Sequence, residues 1–265
     1  MDLTSIHLLS LALLGFFAGG LGALLGIGGG LIIIPVLTLF FGVPIHQAIG
    51  TSLCCVIATS SGAAASYVEH HITDVRLGMT LELATTMGAV SGSLVAALIS
   101  REGLSVLFAV LLTYAGGAMI HKARHPAEHA SETAGSYKVR RLPMGLVASG
   151  GAGMVSGLLG VGGGPIKVPV MFLLLGIPFK VATATSNFMI GVTAAASAFI
   201  YFSRGDIPLL VAAPTAVGVF VGAAAGTHVM RKAQSRWLIV LFSIVMFYFA
   251  GMMVWHAYQG VVHHW

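Results

Sequence analysis

Two glycine triplets, Gly28, Gly29 and Gly30 and Gly162, Gly163 and Gly164, carry the strongest chemical suggestion in this chain of 265 residues. Consecutive glycines let a backbone leave helical geometry at little steric cost. If a helix starts directly after each triplet, its first N–H groups lack intrahelical partners and carry about half a positive charge. Amides aimed at a cavity then form an anion site. Two such starts meeting across a pseudo-two-fold axis would place two positive ends around one ligand. The competing reading is that the glycines only let broken helices pack tightly.

Lys167 follows the second triplet by three residues, where the first copy of the motif has Ile33. A lysine at mid-depth in a membrane costs at least about 2.5 kcal/mol, so it faces a cavity, meets a partner or snorkels to the interface. Facing a cavity, it would select an anion and break the symmetry of the site. On that reading Lys167→Met should weaken anion binding and leave folding intact. Thr51, Ser52, Thr185, Ser186 and Asn187 stand early in matching apolar segments. Their hydroxyls and amide are either hydrogen-bond donors to an oxyanion or bonds to their own helices. Glu82 is the other ionisable group within an apolar run, read as a proton-coupling candidate, the partner of a cation or an interfacial residue. Asp74 and Asp206 read as N-terminal charges of the helices that follow.

The remaining polar clusters suggest less. His121, His125 and His129 have helical spacing, but Pro126 interrupts them in a charged stretch, so no metal site is expected. Cys54 and Cys55 are adjacent in an apolar run, which suits core thiols better than a disulfide or zinc site. No cofactor is implied, and G-x-x-x-x-G-K-[ST], the mark of direct ATP use, is absent from the sequence.

These residues must be held by helices in lipid. The chain is 57% hydrophobic and 8% charged, against about 25% charged in soluble domains, and its mean hydropathy is +0.96. Only helices or closed barrels satisfy every backbone group in a bilayer. Long uncharged runs such as 144–159, 181–202 and 237–255 approach the roughly 20 residues of a spanning helix rather than the alternation of barrel strands. Thirty-five glycines then read as helix packing. The first apolar run lacks a basic flank and recurs mid-chain, so a retained helix is expected rather than a signal peptide. A net charge of +5 reports topology here rather than nucleic-acid binding. The expected fold is therefore all-α, a polytopic membrane protein.

The chain matches itself at an offset of 134 residues. Gly26-Ile-Gly-Gly-Gly-Leu-Ile-Ile-Ile-Pro35, Gly42-Val-Pro44 and Ala48-Ile-Gly-Thr-Ser52 recur as Gly160-Val-Gly-Gly-Gly-Pro-Ile-Lys-Val-Pro169, Gly176-Ile-Pro178 and Ala182-Thr-Ala-Thr-Ser186. Residues 1–120 form one membrane repeat, 121–142 a linker and 143–265 the second repeat. Each repeat has five apolar segments, and the second (31–42 and 165–177) is too short to span upright. Short segments broken by Gly and Pro at matched positions point to a transporter's binding site. The basic linker and the basic stretch 231–236 both suit the cytoplasm, whereas Arg101 is balanced by Glu102. Both basic segments share a side if the first two segments of each repeat cross an even number of times, for example as a re-entrant hairpin. That favours inverted repeats; counting the pair as one broken helix would make them parallel.

The paired G-x-G-G-G-x-x-x-x-P, G-x-P and A-x-x-T-S motifs resemble those of the TauE/SafE family, over essentially the whole chain from about Gly15 to Trp255. The resemblance implies an exporter of sulfite, sulfonates or related sulfur oxyanions, although substrates vary within the family. Lys167 is not carried over from it and rests on physical reasoning. The expectation is thus a secondary carrier of a small sulfur-containing anion in the bacterial cytoplasmic membrane, working by export. Its partners are the bilayer and the anion, with no nucleic acid; oligomeric state is not legible. An anion channel, an intramembrane enzyme and an assembly factor are the alternatives. The enzyme would need a nucleophile with a base, or a metal set, and neither is evident within the apolar segments.

Overall fold

The computed structural model describes residues 5–124, 139, 141–230 and 236–262, and every regular element among them is a helix. The first half comprises α1 (Ser5–Leu25), α2 (Gly30–Leu39), α3 (Ile45–Glu69), α4 (Val75–Ala96) and α5 (Arg101–Arg124). The second comprises α6 (Leu142–Leu159), α7 (Gly164–Pro169), α8 (Phe179–Ser203), α9 (Leu209–Met230) and α10 (Arg236–Val262). The starts of α2, α3 and α4 recur in α7, α8 and α9 at the offset of 134 read from the sequence. Five helices are long and apolar enough to cross a bilayer by length and composition: those containing His7–Leu24, Ile45–Glu69, Leu142–Leu159, Val181–Ser203 and Leu209–Thr227. The chain is a polytopic membrane protein.

The two short helices have the expected form, with one difference. Pro35 is accommodated inside α2, whereas α7 stops at Pro169 and continues as a π-helical turn, Val170–Leu174. Proline lacks the N–H that an α-helix needs, and the wider turn resumes the bonding with Leu175 N–H donating to Val170 O at 3.2 Å. Helix α5 runs through Arg124, four residues into the expected linker. Residues 125–138, which include His125 and His129, and the basic stretch 231–235 lie outside the described residues.

The halves interlock rather than sit side by side. The first helix of each packs on the fourth of the other, α1 on α9 and α4 on α6. Both contacts are backbone to backbone: a Cβ on Gly222 would run into the carbonyl oxygen of Phe16, and one on Gly157 into that of Ala89. In lipid, such close approach replaces the hydrophobic drive that water would supply. Helices α1 and α9 run parallel, since Ala12, Phe16 and Gly20 face Gly218, Gly222 and Gly226 in that order. Helices α3 and α8 run in opposite directions. Gly50, near the start of α3, meets Asp206 and Ile207 just beyond the end of α8. Ser60 Oγ donates to Asn187 O at 2.7 Å, and Asp74 N–H, beyond the end of α3, donates to Thr185 Oγ1 at 3.0 Å.

Candidate functional site

Each glycine triplet forms the turn between a long helix and a short one. Gly28 and Gly29 have φ of 76° and 78°, and Gly162 and Gly163 have 74° and 76°, a left-handed conformation that costs other residues roughly 1–2 kcal/mol. The short helices then open alike: Ile32 and Ile33 N–H return to Gly29 O, and Ile166 and Lys167 N–H return to Gly163 O.

The two turns touch each other through a reciprocal clasp. Ser52 Oγ donates to Gly160 O at 2.7 Å, and Ser186 Oγ donates to Gly26 O at 3.1 Å. Each half thus ties down the other half's glycine turn. A Cβ on Gly30 would lie 2.6 Å from Ser52 Oγ, and one on Gly164 would strike Gly26 O. Between the turns stand Val56 and Ile190, side chains at matched positions that cover both Gly28 and Gly162. The point where two helix starts could have faced one ligand is therefore apolar in this conformation.

The polar chemistry lies to one side of that point, among α4, α6, α7 and α8. Lys167 is 1% exposed, so its stem does not snorkel. Its Nζ donates to Thr193 Oγ1 at 2.8 Å and approaches Glu82 Oε2 at 3.4 Å. Thr193 Oγ1 in turn donates to Glu82 Oε1 at 2.5 Å, and Thr86 Oγ1 donates to the same oxygen at 3.2 Å. Glu82 is buried, so Lys167 is met within the fold by an opposite charge. Two of the ammonium's three donors are engaged by these partners. Against the Gly163 turn, beside Lys167 Cε, lies Ser156 of α6. Its hydroxyl is fully buried and has no hydrogen-bond partner, as is true of Ser197, one turn beyond Thr193 on α8. Helix α7 is only 6 residues long, so the positive field here belongs chiefly to Lys167. An ammonium with nearby unspent hydroxyls is chemistry for an oxyanion.

The other expected positions fall elsewhere. Thr185 accepts the N–H of Asp74, whose carboxylate accepts Leu77 N–H at 2.9 Å to cap α4. Asn187 Nδ2 donates to Ala23 O at 3.2 Å, while its Oδ1 and Thr51 Oγ1 are buried without partners. Asp206, shortly before the start of α9, lies 3.4 Å from Arg204 Nε. Cys54 and Cys55 are free thiols. Sequence reading passed over Thr193, Ser156 and Ser197. One signal for most of the cluster is broken symmetry: Ser156, Lys167 and Ser197 replace Gly22, Ile33 and Ala63, and Glu82 becomes Ala216 in the second copy. Thr193 matches Thr59, which donates instead to Gly28 O at 3.1 Å.

Comparison with known proteins agrees with the motif pattern. The family model described as "Sulfite exporter TauE/SafE" matches residues 11–253. The "Probable membrane transporter protein YunE" of Bacillus subtilis is 29% identical over 272 residues, covering 95% of this chain and 97% of that protein. A "Probable membrane transporter protein" of Xylella fastidiosa (strain 9a5c) is 29% identical over 94% of both chains. The "Sulfite exporter TauE/SafE family protein 3" of Arabidopsis thaliana is 35% identical over 101 residues, 38% of this chain and 21% of its own. No solved structure matches. Two copies of the glycine turn in a helical membrane protein, matched along almost the whole chain, place it in a known group: the chain belongs to the TauE/SafE family of membrane transporters.

Proposed function

We propose that this protein is a secondary transporter that carries a small sulfur-containing anion, sulfite or an organosulfonate, across the bacterial cytoplasmic membrane, with export the favoured direction. The observation that carries this reading is the buried Lys167, with the partnerless hydroxyl of Ser156 against the same Gly163 turn and that of Ser197 one turn beyond Thr193, which binds the ammonium. A sulfur oxyanion presents several acceptor oxygens, and a buried cation with unspent O–H donors on the helices around it matches it. The names of the family and of its Arabidopsis relative, both sulfite exporters by description, support the choice of sulfite. In this reading the glycine turns (Gly28, Gly29 and Gly30; Gly162, Gly163 and Gly164), with Thr51, Ser52, Thr185, Ser186 and Asn187, frame the path, and the cluster around Lys167 holds the anion. No enzymatic role is assigned.

A flux screen of purified protein in liposomes over sulfite, sulfate, thiosulfate, taurine and sulfoacetate tests this reading. At least one of these anions should cross faster than in protein-free vesicles. A hydrogen bond to a charged group is worth about 1.5 kcal/mol or more, so the paired substitution Ser156→Ala and Ser197→Ala should raise half-saturation by roughly a hundredfold or more. Unchanged half-saturation in a well-folded double variant would take the substrate away from this cluster.

A further inference from the structure

We infer that Glu82 is the resident occupant of the Lys167 anion site, so that each transported monoanion must displace the carboxylate and is accompanied by one proton. This rests on the anion-transport reading above. Lys167 and Glu82 are 1% and 5% exposed, with Nζ and Oε2 at 3.4 Å. That separation is longer than the 2.7–2.9 Å of a tight charge-assisted hydrogen bond, and the shorter lysine contact, 2.8 Å, goes to Thr193. The carboxylate is therefore held as much by the Thr193 and Thr86 hydroxyls as by the ammonium.

The charge balance dictates the coupling. The empty site holds one positive and one negative charge. An entering anion would leave two negative charges against one positive in a medium that barely solvates them, an arrangement that like-charge repulsion opposes. Protonation of Glu82 restores neutrality. The lysine ammonium paired with the carboxylate, plus anion and proton, becomes the ammonium paired with the anion, plus the neutral carboxylic acid. One N–H···O contact is exchanged for another, one O–H bond forms on Glu82, and the proton comes from the water that delivers the anion. Thr193 can remain bonded to Glu82 throughout, because its hydroxyl donates to a carboxylate and accepts from a carboxylic acid.

The other basic and acidic residues of the helices packed around the pair stand at or beyond helix ends. On α4 the only other is Arg76, exposed at its first turn. Helix α6 has none in Leu142–Leu159, with Arg141 exposed just before it, and α7 has only Lys167. Helix α8 has Lys180 in its first turn and Arg204 beyond its end. Helix α3, packed on α8, has His46 and Glu69 at its two ends. Among the described residues of α4, α6, α7 and α8, Glu82 is the only carboxylate.

The loaded and empty sites then have equal charge, and transport is indifferent to membrane potential. Flux follows the product of anion and proton concentrations, so export against a more acidic exterior needs about a tenfold excess of internal anion per pH unit.

The test uses liposomes with valinomycin-clamped potential and a trapped pH dye. The probes are methanesulfonate, which stays ionised and carries no proton of its own, with sulfite, chloride and nitrate as further anions. The wild type should move one proton per methanesulfonate at a rate unaffected by the clamp. Glu82→Gln should lose proton movement and make the remaining flux potential-dependent; Glu82→Asp should restore the proton. Infrared difference spectra on adding each anion should show a carboxylic-acid band that Glu82→Gln lacks. Anion flux without protons in the wild type would overturn the inference and leave the transporter reading standing. If no sulfur anion moves but chloride or nitrate raises the Glu82 band, the substrate assignment falls and the coupling stands. No such band with any anion overturns the coupling.

Discussion

At the scale of single residues, Lys167 and Glu82 change the expected outcome of a simple substitution. Read from sequence, Lys167→Met removes a lone charge and spares the fold. With Glu82 3.4 Å away and both groups buried, the same substitution strands a carboxylate. Breaking a buried pair by removing one partner costs about 3–5 kcal/mol, whereas replacing both by apolar residues is often neutral. Lys167→Met should therefore lower the thermal midpoint of the detergent-solubilised protein, and adding Glu82→Leu should recover most of the loss. Both proteins should fail to transport. If the single variant melts like the wild type, the pair contributes nothing to stability in the folded protein. Lys167 was visible in the sequence because one copy of a strict repeat has a cation where the other has isoleucine. Its partner was not, because Glu82 belongs to the other half, 85 residues away.

At the scale of elements, the serine clasp sets how the two glycine turns are held. From sequence, the hydroxyls of Ser52 and Ser186 in A-x-x-T-S are either donors to an oxyanion or bonds to their own helices. In the fold each spends its hydrogen on a carbonyl of the opposite turn. The orphaned carbonyl and the lost bond together cost about 1–3 kcal/mol per site in a buried setting. Ser52→Ala and Ser186→Ala should each lower the thermal midpoint. The double variant should be destabilised by about the sum, since the two bonds share no partner. Ser→Thr, which keeps the hydroxyl, should cost less unless its methyl strikes Gly160 or Gly26. A rise in half-saturation without any change in melting would instead return these serines to the substrate path. Helix boundaries, the short helices and the glycine turns were legible because glycine and proline act locally on the backbone. The clasp was not, since a hydroxyl's partner depends on which helices meet, and the lipid-facing periodicity of these helices is too weak to specify that.

At the scale of the whole molecule, the helix directions turn the basic residues into a statement about orientation. Helices α3 and α8 run oppositely, so their starts lie on opposite faces if the bundle spans the bilayer. Helix α6 runs in the direction of α4, so on that condition α6 and α7 would form a re-entrant pair before α8, as α1 and α2 would from the other side before α3. We infer inverted repeats from this arrangement. On this inference the sequence segments that join or flank the starts of α4, α6, α8 and α10 share one face and contain Arg76, Lys122, Arg124, Lys138, Arg140, Arg141, Lys180, Arg231, Lys232 and Arg236. That is 10 of the 13 lysines and arginines. The opposite face collects Arg101 and Arg204, each beside an acidic residue, Glu102 and Asp206. Cytoplasmic loops carry the excess of Lys and Arg, so the first face is placed in the cytoplasm, and Ser5 and Val262 emerge outside. Single cysteines at positions 102, 130 and 234, introduced after Cys54 and Cys55 are replaced by alanine, test this in intact cells. An impermeant maleimide should reach position 102 from outside and label 130 and 234 only after the membrane is opened. Labelling of 130 and 234 from opposite sides would overturn the inverted arrangement. Labelling of both from outside would preserve it and reverse the whole molecule in the membrane.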